Sequence, residues 1–149
     1  MSLTADQIRR LLTPFALDLG TRQIQQVSTW TDLLLKWSAK INLTTITKPE
    51  EVITRHFAES MYLSKAMDLR GRLLDVGSGA GFPGLALKIV APDLHVVLLE
   101  PVGKKRAFLK EVIRECGFEP VEVRAERIED YRIGHSGEFN AWTSLALDR

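Results

Sequence analysis

A chain of 149 residues is long enough to build one domain around its own core and too short for two. Apolar residues at 45% and charged residues at 26% exclude a disordered or fibrous chain, and no apolar run approaches the ~20 residues of a membrane span. The formal net charge of +1 excludes nothing about nucleic acid, because phosphate contact needs a local cluster of cations rather than a net excess.

Thr4-Ala-Asp-Gln7 has the spacing of a capping box and precedes Ile8, Leu11, Leu12 and Phe15, which predicts a short first helix disturbed by Pro14. Gly20 is expected to close that unit. Val27, Trp30, Leu34, Trp37 and Ile41 then recur at three- and four-residue steps, the stripe of a second helix, so its tryptophans are read as core residues. Asn42 to Thr47 reads as a connector. Thr47-Lys-Pro-Glu50 is a second capping-box pattern and opens a third helix carrying Val52, Ile53, His56, Phe57, Ser60 and Met61. His56, Glu59 and Ser60 stand one helical step apart, so a regular helix would turn all three toward one cleft. Residues 1–70 are thus a predicted helical segment, and 71–149 the second portion of the same structural domain.

That second portion opens on Arg72-Leu-Leu-Asp-Val-Gly-Ser-Gly-Ala-Gly-Phe-Pro-Gly-Leu85. Leu73, Leu74 and Val76 form a short apolar strand that breaks into glycines and restarts as a helical run through Leu85, Leu87, Ile89 and Val90. Gly77, Gly79 and Gly81 alternate, which removes every second Cβ and permits positive φ where a ligand lies against the backbone. Pro83 suits the first turn of the following helix, so the turn is expected to form a cradle at a helix N-terminus. Two registers fit. Gly79-Ala-Gly-Phe-Pro-Gly84 matches the dinucleotide fingerprint, with NAD as its ligand. If the turn starts at Gly77 instead, Asp75 stands at the strand tip, where a carboxylate accepts hydrogen bonds from an ammonium group or orders the loop amides. S-adenosylmethionine carries such an ammonium and no pyrophosphate.

Ala91-Pro92-Asp93 ends the helix, and His95 to Glu100 reads as a buried parallel strand ending in an acid. Glu100 lies about 20 residues beyond the glycines, the separation at which a carboxylate accepts both ribose hydroxyls of an adenosine. The next helix carries Phe108, Leu109, Val112, Ile113 and Cys116, with Gly117 as its stop. Cys116, the sole cysteine, is read as a small buried hydrophobe. Lys104, Lys105 and Arg106 oppose the macrodipole at the start of that helix, which suggests an anionic partner, and the cluster is read as an RNA backbone contact. Pro120 to Arg124 is the predicted third strand, Ala125 to Arg127 a turn, Ile128 and Tyr131 a short helix, and Phe139 to Ser144 a fourth strand. The fold class is α/β, doubly wound, behind an N-terminal helical segment.

Asp75-Val-Gly-Ser-Gly-Ala-Gly-Phe-Pro-Gly84 resembles the cofactor motif of class I S-adenosylmethionine-dependent methyltransferases. Its Phe-Pro-Gly extension is similar to that of the glucose-inhibited division protein B family, bacterial enzymes that methylate a guanine N7 in small-subunit ribosomal RNA. Lys36-Trp37, Asn42-Leu43-Thr44 and Arg55-His56-Phe57-Ala58-Glu59-Ser60 are similar to that family's upstream signatures, with Glu59 in place of the usual aspartate. Gly103 to Leu109 and Arg124-Ala125-Glu126 fit downstream. The resemblance implies a Rossmann-like fold with S-adenosyl-L-methionine held by Asp75, Gly77, Gly79, Gly81, Phe82 and Glu100, and with Ala125 and Glu126 against the adenine. It places His56, Glu59 and Ser60 at the border of the site. It also implies a cytoplasmic monomer that acts on small-subunit ribosomal RNA without a metal and away from membranes.

Family members continue past the position of Arg149 and complete the sheet. Where they carry Phe-Asp and Ser-Arg-Ala, this chain has Phe139-Asn140 and Ser144-Leu145-Ala146. A sheet stopping at its fourth strand, with Leu145 in place of an arginine, predicts weak cofactor binding and little methyl transfer by these residues alone. The competing readings are an NAD-dependent oxidoreductase using the Gly79 to Gly84 fingerprint, and an inactive relative that binds RNA or a nucleoside.

Overall fold

The structure, a computed structural model, describes residues 2–135 and 137–144, so Leu145 and Ala146 lie outside the described residues. The first helix, α1 (Ala5–Leu12), forms with its capping box closed in both directions. Gln7 donates its amide to the Thr4 hydroxyl at 3.1 Å, and the Thr4 amide donates to the Gln7 side chain at 2.8 Å. Pro14 tightens the exit into a 3-10 turn, Thr13–Phe15. The left-handed residue that ends this unit is Ala16, at φ 56, rather than Gly20. Gly20 has φ −73 and caps the N-terminus of α2 (Thr21–Ser38), where its amide donates to the Gln23 side chain at 2.7 Å. The inner face of α2 buries Ile24, Val27, Trp30, Thr31 and Leu34.

Residues 49–66 are helical in four successive registers. The run starts with α3 (Pro49–Glu51), whose N-cap is Lys48 with no side-chain cap bond, so the box expected from Thr47 does not form. Proline at the first position already lacks one of the amides a cap would serve. A π-helical segment, Val52–Ala58, follows, then α4 (Glu59–Tyr62) and a 3-10 turn, Leu63–Ala66. An i→i+5 ladder winds wider than an α-helix, and it brings Val52, Ile53, Phe57 and Ala58 into the core together. In the signature trio, His56 lies in the π-helical segment and is half-buried, while Glu59 and Ser60 open α4, the first exposed and the second buried.

The sheet comprises β1 (Arg72–Val76), β2 (His95–Leu99), β3 (Val121–Arg124) and β4 (Ala141–Ser144), all parallel and ordered β3-β2-β1-β4. Leu73, Val96 and Leu98 face the large core built with the N-terminal helices, while Leu74, Val97 and Leu99 face a smaller cluster with Tyr131. Burial on both faces is why these strands read as near-continuous apolar runs. The connections carry α5 (Leu87–Val90), α6 (Gly103–Cys116) and α7 (Ile128–Tyr131). As expected, α6 stops at Gly117, which takes φ 69 and donates its amide to Ile113. Cys116 is buried, and burial pushes its thiol up to about 12. Strand order reverses at β1, with β2 to one side and β4 to the other, so the loops at the C-terminal ends of β1 and β4 flank a topological switch point.

β4 starts at Ala141 rather than at Phe139 because Asn140 serves as its entry clamp. Asn140 Oδ1 accepts from the Arg72 amide at 2.9 Å, and the Asn140 amide donates to the Arg72 carbonyl at 2.8 Å. An amide oxygen does this accepting as well as the aspartate of the family pattern. Among the described residues, no helix is long and apolar enough to cross a membrane.

Lys88 pins the opposite end of the sheet. It is 2% exposed, and its Nζ donates to the carbonyls of Pro92, Leu94 and Glu119 at 2.5, 2.7 and 2.6 Å. One ammonium thereby ties α5 to the entries of β2 and β3, and burial pulls its pKa down. Lys88→Met keeps the apolar stem but strands one buried carbonyl oxygen and two part-buried ones. Urea unfolding is expected to show a loss of about 2 to 4 kcal/mol, since each stranded group costs about 1 to 3 kcal/mol and relaxation recovers part of it; unchanged stability would refute the pin.

Candidate functional site

β1 ends at Val76, and Gly77 at φ 70 begins the turn at once, leaving Asp75 inside the strand. The amides of Gly77 and Ser78 donate to the Leu99 carbonyl at 2.9 and 3.3 Å, which ties the loop to the tip of β2. Turns then run through 79–86, and α5 begins only at Leu87. The regular helix starts later than the sequence suggests, and the Leu87 amide, bonded to the Pro83 and Gly84 carbonyls, leads the turns into it.

The glycines fall into two kinds. A Cβ on Gly79, at φ 52, would meet nothing closer than the Gly77 carbonyl oxygen at 3.9 Å, so this position opens outward. A Cβ on Gly81 would lie 2.5 Å from Trp30 Cζ2, and one on Gly84 would collide with the Asp75 side chain. Gly81 and Gly84 are therefore required by the protein's own packing. Phe82 also departs from its expected contact with a cofactor. It is 2% exposed and lies beneath the loop, near-parallel to Trp30 at 4.9 Å and 14° and to His56 at 4.7 Å and 7°, with Phe57 edge-on at 4.9 Å. Trp30 donates its indole N–H to the Ala80 carbonyl at 3.2 Å.

Two carboxylates lie under and beside this loop in different states. Asp75 is fully buried. Its Oδ1 accepts from the Thr143 hydroxyl of β4 at 2.7 Å, while Oδ2 has no hydrogen-bond partner. Burial pushes the Asp75 carboxyl up to about 7 against the opposing pull of the Thr143 and Ser78 hydroxyls, and the nearby Glu100 charge adds to the rise. Glu100, one residue beyond β2, accepts from the Gly79 amide at 2.7 Å on Oε1 and from the Val102 amide at 3.0 Å on Oε2. A carboxylate offers about four lone-pair directions, so each oxygen keeps one for a further donor.

The predicted basic cluster divides. Arg106 donates to the carbonyls of Glu100 and Pro101 at 2.9 and 2.7 Å and so braces the β2–α6 loop from within the protein. Lys104 is exposed and Lys105 half-buried. At the tip of β3, Ala125 is exposed, and Glu126 forms a two-pronged pair with Arg124 at 3.1 and 2.7 Å that holds its carboxyl below the usual range. Of the signature trio, only His56 is shown against the glycine loop, through Phe82. Trp30, Thr44 and Thr143 escaped the sequence reading as site residues. Trp30 sat in an apolar stripe that a core role already explained, and Thr143 meets Asp75 only through the β1–β4 register. Among the described residues, no group of three or more His, Cys, Asp or Glu side chains is placed to hold a metal ion.

Beside the turning point of the strand order, an open glycine backbone after β1 is bonded to an anchored carboxylate after β2, and this, with the family match, places the chain in the Rossmann-like methyltransferase class of α/β proteins. The particular family follows from similarity along most of the chain. The family model described as GidB, rRNA small subunit methyltransferase G, matches residues 23–149, and the chain belongs to that family. Three relatives carry the name Ribosomal RNA small subunit methyltransferase G. The protein from Roseiflexus castenholzii is 44% identical over 125 residues, covering 83% of this chain and 53% of the relative. That from Geotalea uraniireducens is 43% identical over 138 residues, covering 91% and 62%. That from Lactococcus lactis is 36% identical over 152 residues, covering 99% and 64%. The chain thus spans between about half and two thirds of the length of these relatives.

The state of Asp75 makes a measurable prediction. A carboxyl at about 7 in the folded protein, against 3.8 for the unconstrained group, favours folding in its neutral form. Its contribution is complete below about pH 4 and is lost as pH rises toward 7. A shift of this size corresponds to a few kcal/mol, at 1.36 kcal/mol per unit. Unfolding free energies measured at intervals from pH 4 to 8 should therefore fall through this window in the wild type, and Asp75→Asn should lose that slope. Parallel profiles for the two proteins would show that Asp75 is ionised in the fold.

Proposed function

We propose that this chain carries the S-adenosylmethionine site of a methyltransferase that acts on a guanine N7 of small-subunit ribosomal RNA in the cytoplasm. The observation that carries the reading is the Gly79 opening, held against the Glu100 carboxylate on a turn that starts directly off β1. The residues present fit such a cofactor. The open backbone at Gly79 would admit it beside Gly77, the remaining lone pairs of Glu100 suit ribose hydroxyls, and exposed Ala125 leaves room for the adenine. Asp75, Gly81, Phe82 and Glu126 serve the same site from behind, by holding the loops in place. Within the one domain, 1–70 props the loop and 71–149 supplies the cofactor-binding portion. The NAD reading loses ground because the chain belongs to a methyltransferase family.

When bound, S-adenosylmethionine supplies a methyl group on a sulfonium. Guanine N7 already has a free lone pair, so the protein need not remove a proton from it. The work left to the chain is alignment, for which near-attack positioning contributes on the order of 7 to 11 kcal/mol. A rigid glycine loop serves that end. The target base would be reached as an unstacked nucleotide. Lys104 and Lys105 are the cations free to meet RNA phosphate, whereas Arg106 is committed to the β2–α6 loop.

Isothermal titration with S-adenosylmethionine, its demethylated product and NAD tests the cofactor. Heat is expected with the first two and none with NAD. Gly79→Val should abolish that heat while the far-ultraviolet circular dichroism spectrum persists, since its side chain fills the opening rather than the core. Binding by a folded Gly79→Val protein would remove the cofactor from this loop.

For the RNA, exchanging Lys104 and Lys105 for glutamine should lower affinity and reduce the log-log salt slope by about 0.7 to 0.9 for each phosphate that is no longer neutralised. Cofactor affinity should not change in that variant. A slope equal to that of wild type would return both lysines to solvent.

A further inference from the structure

Two stretches singled out by the sequence, Asn42-Leu43-Thr44 and Arg55-His56-Phe57, have so far played no part in the site, yet the structure joins them. Thr44 Oγ1 and His56 Nε2 are 2.8 Å apart, and the same hydroxyl accepts the Ile46 amide at 3.1 Å. With one lone pair taken, the hydroxyl retains a proton and a second lone pair, so it can bond either tautomer of the imidazole. The far face of this arrangement is the glycine loop, because the His56 ring lies 7° from the plane of Phe82 at 4.7 Å. The N-terminal helical segment therefore grips the loop at Ala80 through the Trp30 indole N–H and at Phe82 through the Trp30, Phe57 and His56 rings.

The grip depends on the π-helical segment. Five-residue spacing sends Val52, Ile53, Phe57 and Ala58 into the core while His56, at the half-buried rim, lies against Phe82. A leucine or phenylalanine would fill such a place if packing were the only need. The imidazole adds a polar edge that meets Thr44, while its ring face is what holds the plane of Phe82. Trp30 is wholly buried and belongs to the core, so His56 is the partner that can be altered with the fold intact.

We propose that His56 is a positioning residue: oriented by Thr44 and stacked on Phe82, it sets the glycine loop and hence the affinity at the Gly79 opening. The second half of this statement rests on the cofactor reading given above, and the first half does not. Hydrogen exchange of the cofactor-free protein reads the first half directly. The reporter amides are Gly79, bonded to Glu100, and Gly81, bonded to the Ser78 carbonyl at 2.7 Å. His56→Ala should speed their exchange by about tenfold, the scale of one aromatic pair, while amides in the middle of α6 keep their rates. His56→Leu, which keeps apolar volume without a ring, should behave like His56→Ala. His56→Phe should restore the reporters to within about threefold, because it keeps the stack but not the polar edge.

Titration with the demethylated cofactor should follow the same order, with the alanine and leucine variants weakened by about tenfold and the phenylalanine variant near wild type. If loop exchange is unchanged in both the alanine and leucine variants, or rises equally in α6, His56 does not position the loop. Should the alanine variant fail to fold, equal rates for the leucine and phenylalanine variants would overturn the proposal alone. Wild-type protein that takes up none of the demethylated cofactor would count against the cofactor reading, and the exchange rates at Gly79 and Gly81 would still decide the role of His56.

Discussion

Burial of the Phe82 ring is the constraint on which the site depends. A loop with glycine at 77, 79, 81 and 84 has more backbone freedom to lose on ordering than any other kind of segment, so something outside it must supply the free energy. Removing one phenylalanine side chain from water supplies about 1.5 to 3 kcal/mol, and near-parallel and edge-on rings add to that. The neighbours that receive the ring are Trp30 from α2 and His56 and Phe57 from the π-helical segment. The helices of residues 1–70 are accordingly part of the glycine loop's architecture. The requirement for glycine at 81 follows from the same contact, since the indole occupies the space a side chain would need.

A second constraint acts through charge. Asp75 and Glu100 approach the loop from adjacent strand tips, and both could not hold a full charge cheaply in so dry a place. Glu100 receives two backbone amides, from Gly79 and Val102, whereas the Asp75 side chain accepts the Thr143 hydroxyl on Oδ1 and has no hydrogen-bond partner on Oδ2. Burial outweighs the pull of the Thr143 and Ser78 hydroxyls, so Asp75 tends to the neutral form. Arg106 clamps the carbonyls of Glu100 and Pro101, which keeps the Glu100 backbone fixed while its side chain holds the loop.

The parts of the molecule legible in the sequence are those that follow from local patterning. The first two strands showed as apolar runs because both faces are covered, the third as an alternation, α1 in its reciprocal cap, and α6 in its stripe and in Gly117. The glycine cluster was also plain, but its division was hidden: whether a glycine faces a ligand or a tryptophan depends on a partner some fifty positions away, as Gly81 and Trp30 illustrate. The π-helical winding was hidden for a related reason, since spacing arguments assume 3.6 residues per turn and Val52–Ala58 winds wider. Lys104, Lys105 and Arg106 look alike in sequence, and only the fold distinguishes a brace from two solvent-side cations.

The loop is braced unequally, and this bears on how it can respond to a ligand. On one side lies the large core, with the Trp30, Phe57 and Phe82 rings interlocked and little freedom to shift. On the other, the cluster around Leu74, Val97, Leu99 and Tyr131 is small, and Trp142 of β4 remains 53% exposed. The loop reaches that side through the Gly77 and Ser78 amides on the Leu99 carbonyl, and β1 reaches β4 through the Thr143 hydroxyl on Asp75 as well as the strand ladder. Strain introduced at the glycines cannot be relieved toward the N-terminal helices without breaking aromatic contacts, so it falls on the sheet, where β4 bonds Asp75. Because Thr143 donates to the carboxyl that burial pushes toward neutrality, any movement of β4 away from β1 raises the Asp75 proton affinity further. Loop geometry and the protonation of Asp75 are thereby coupled through one hydroxyl.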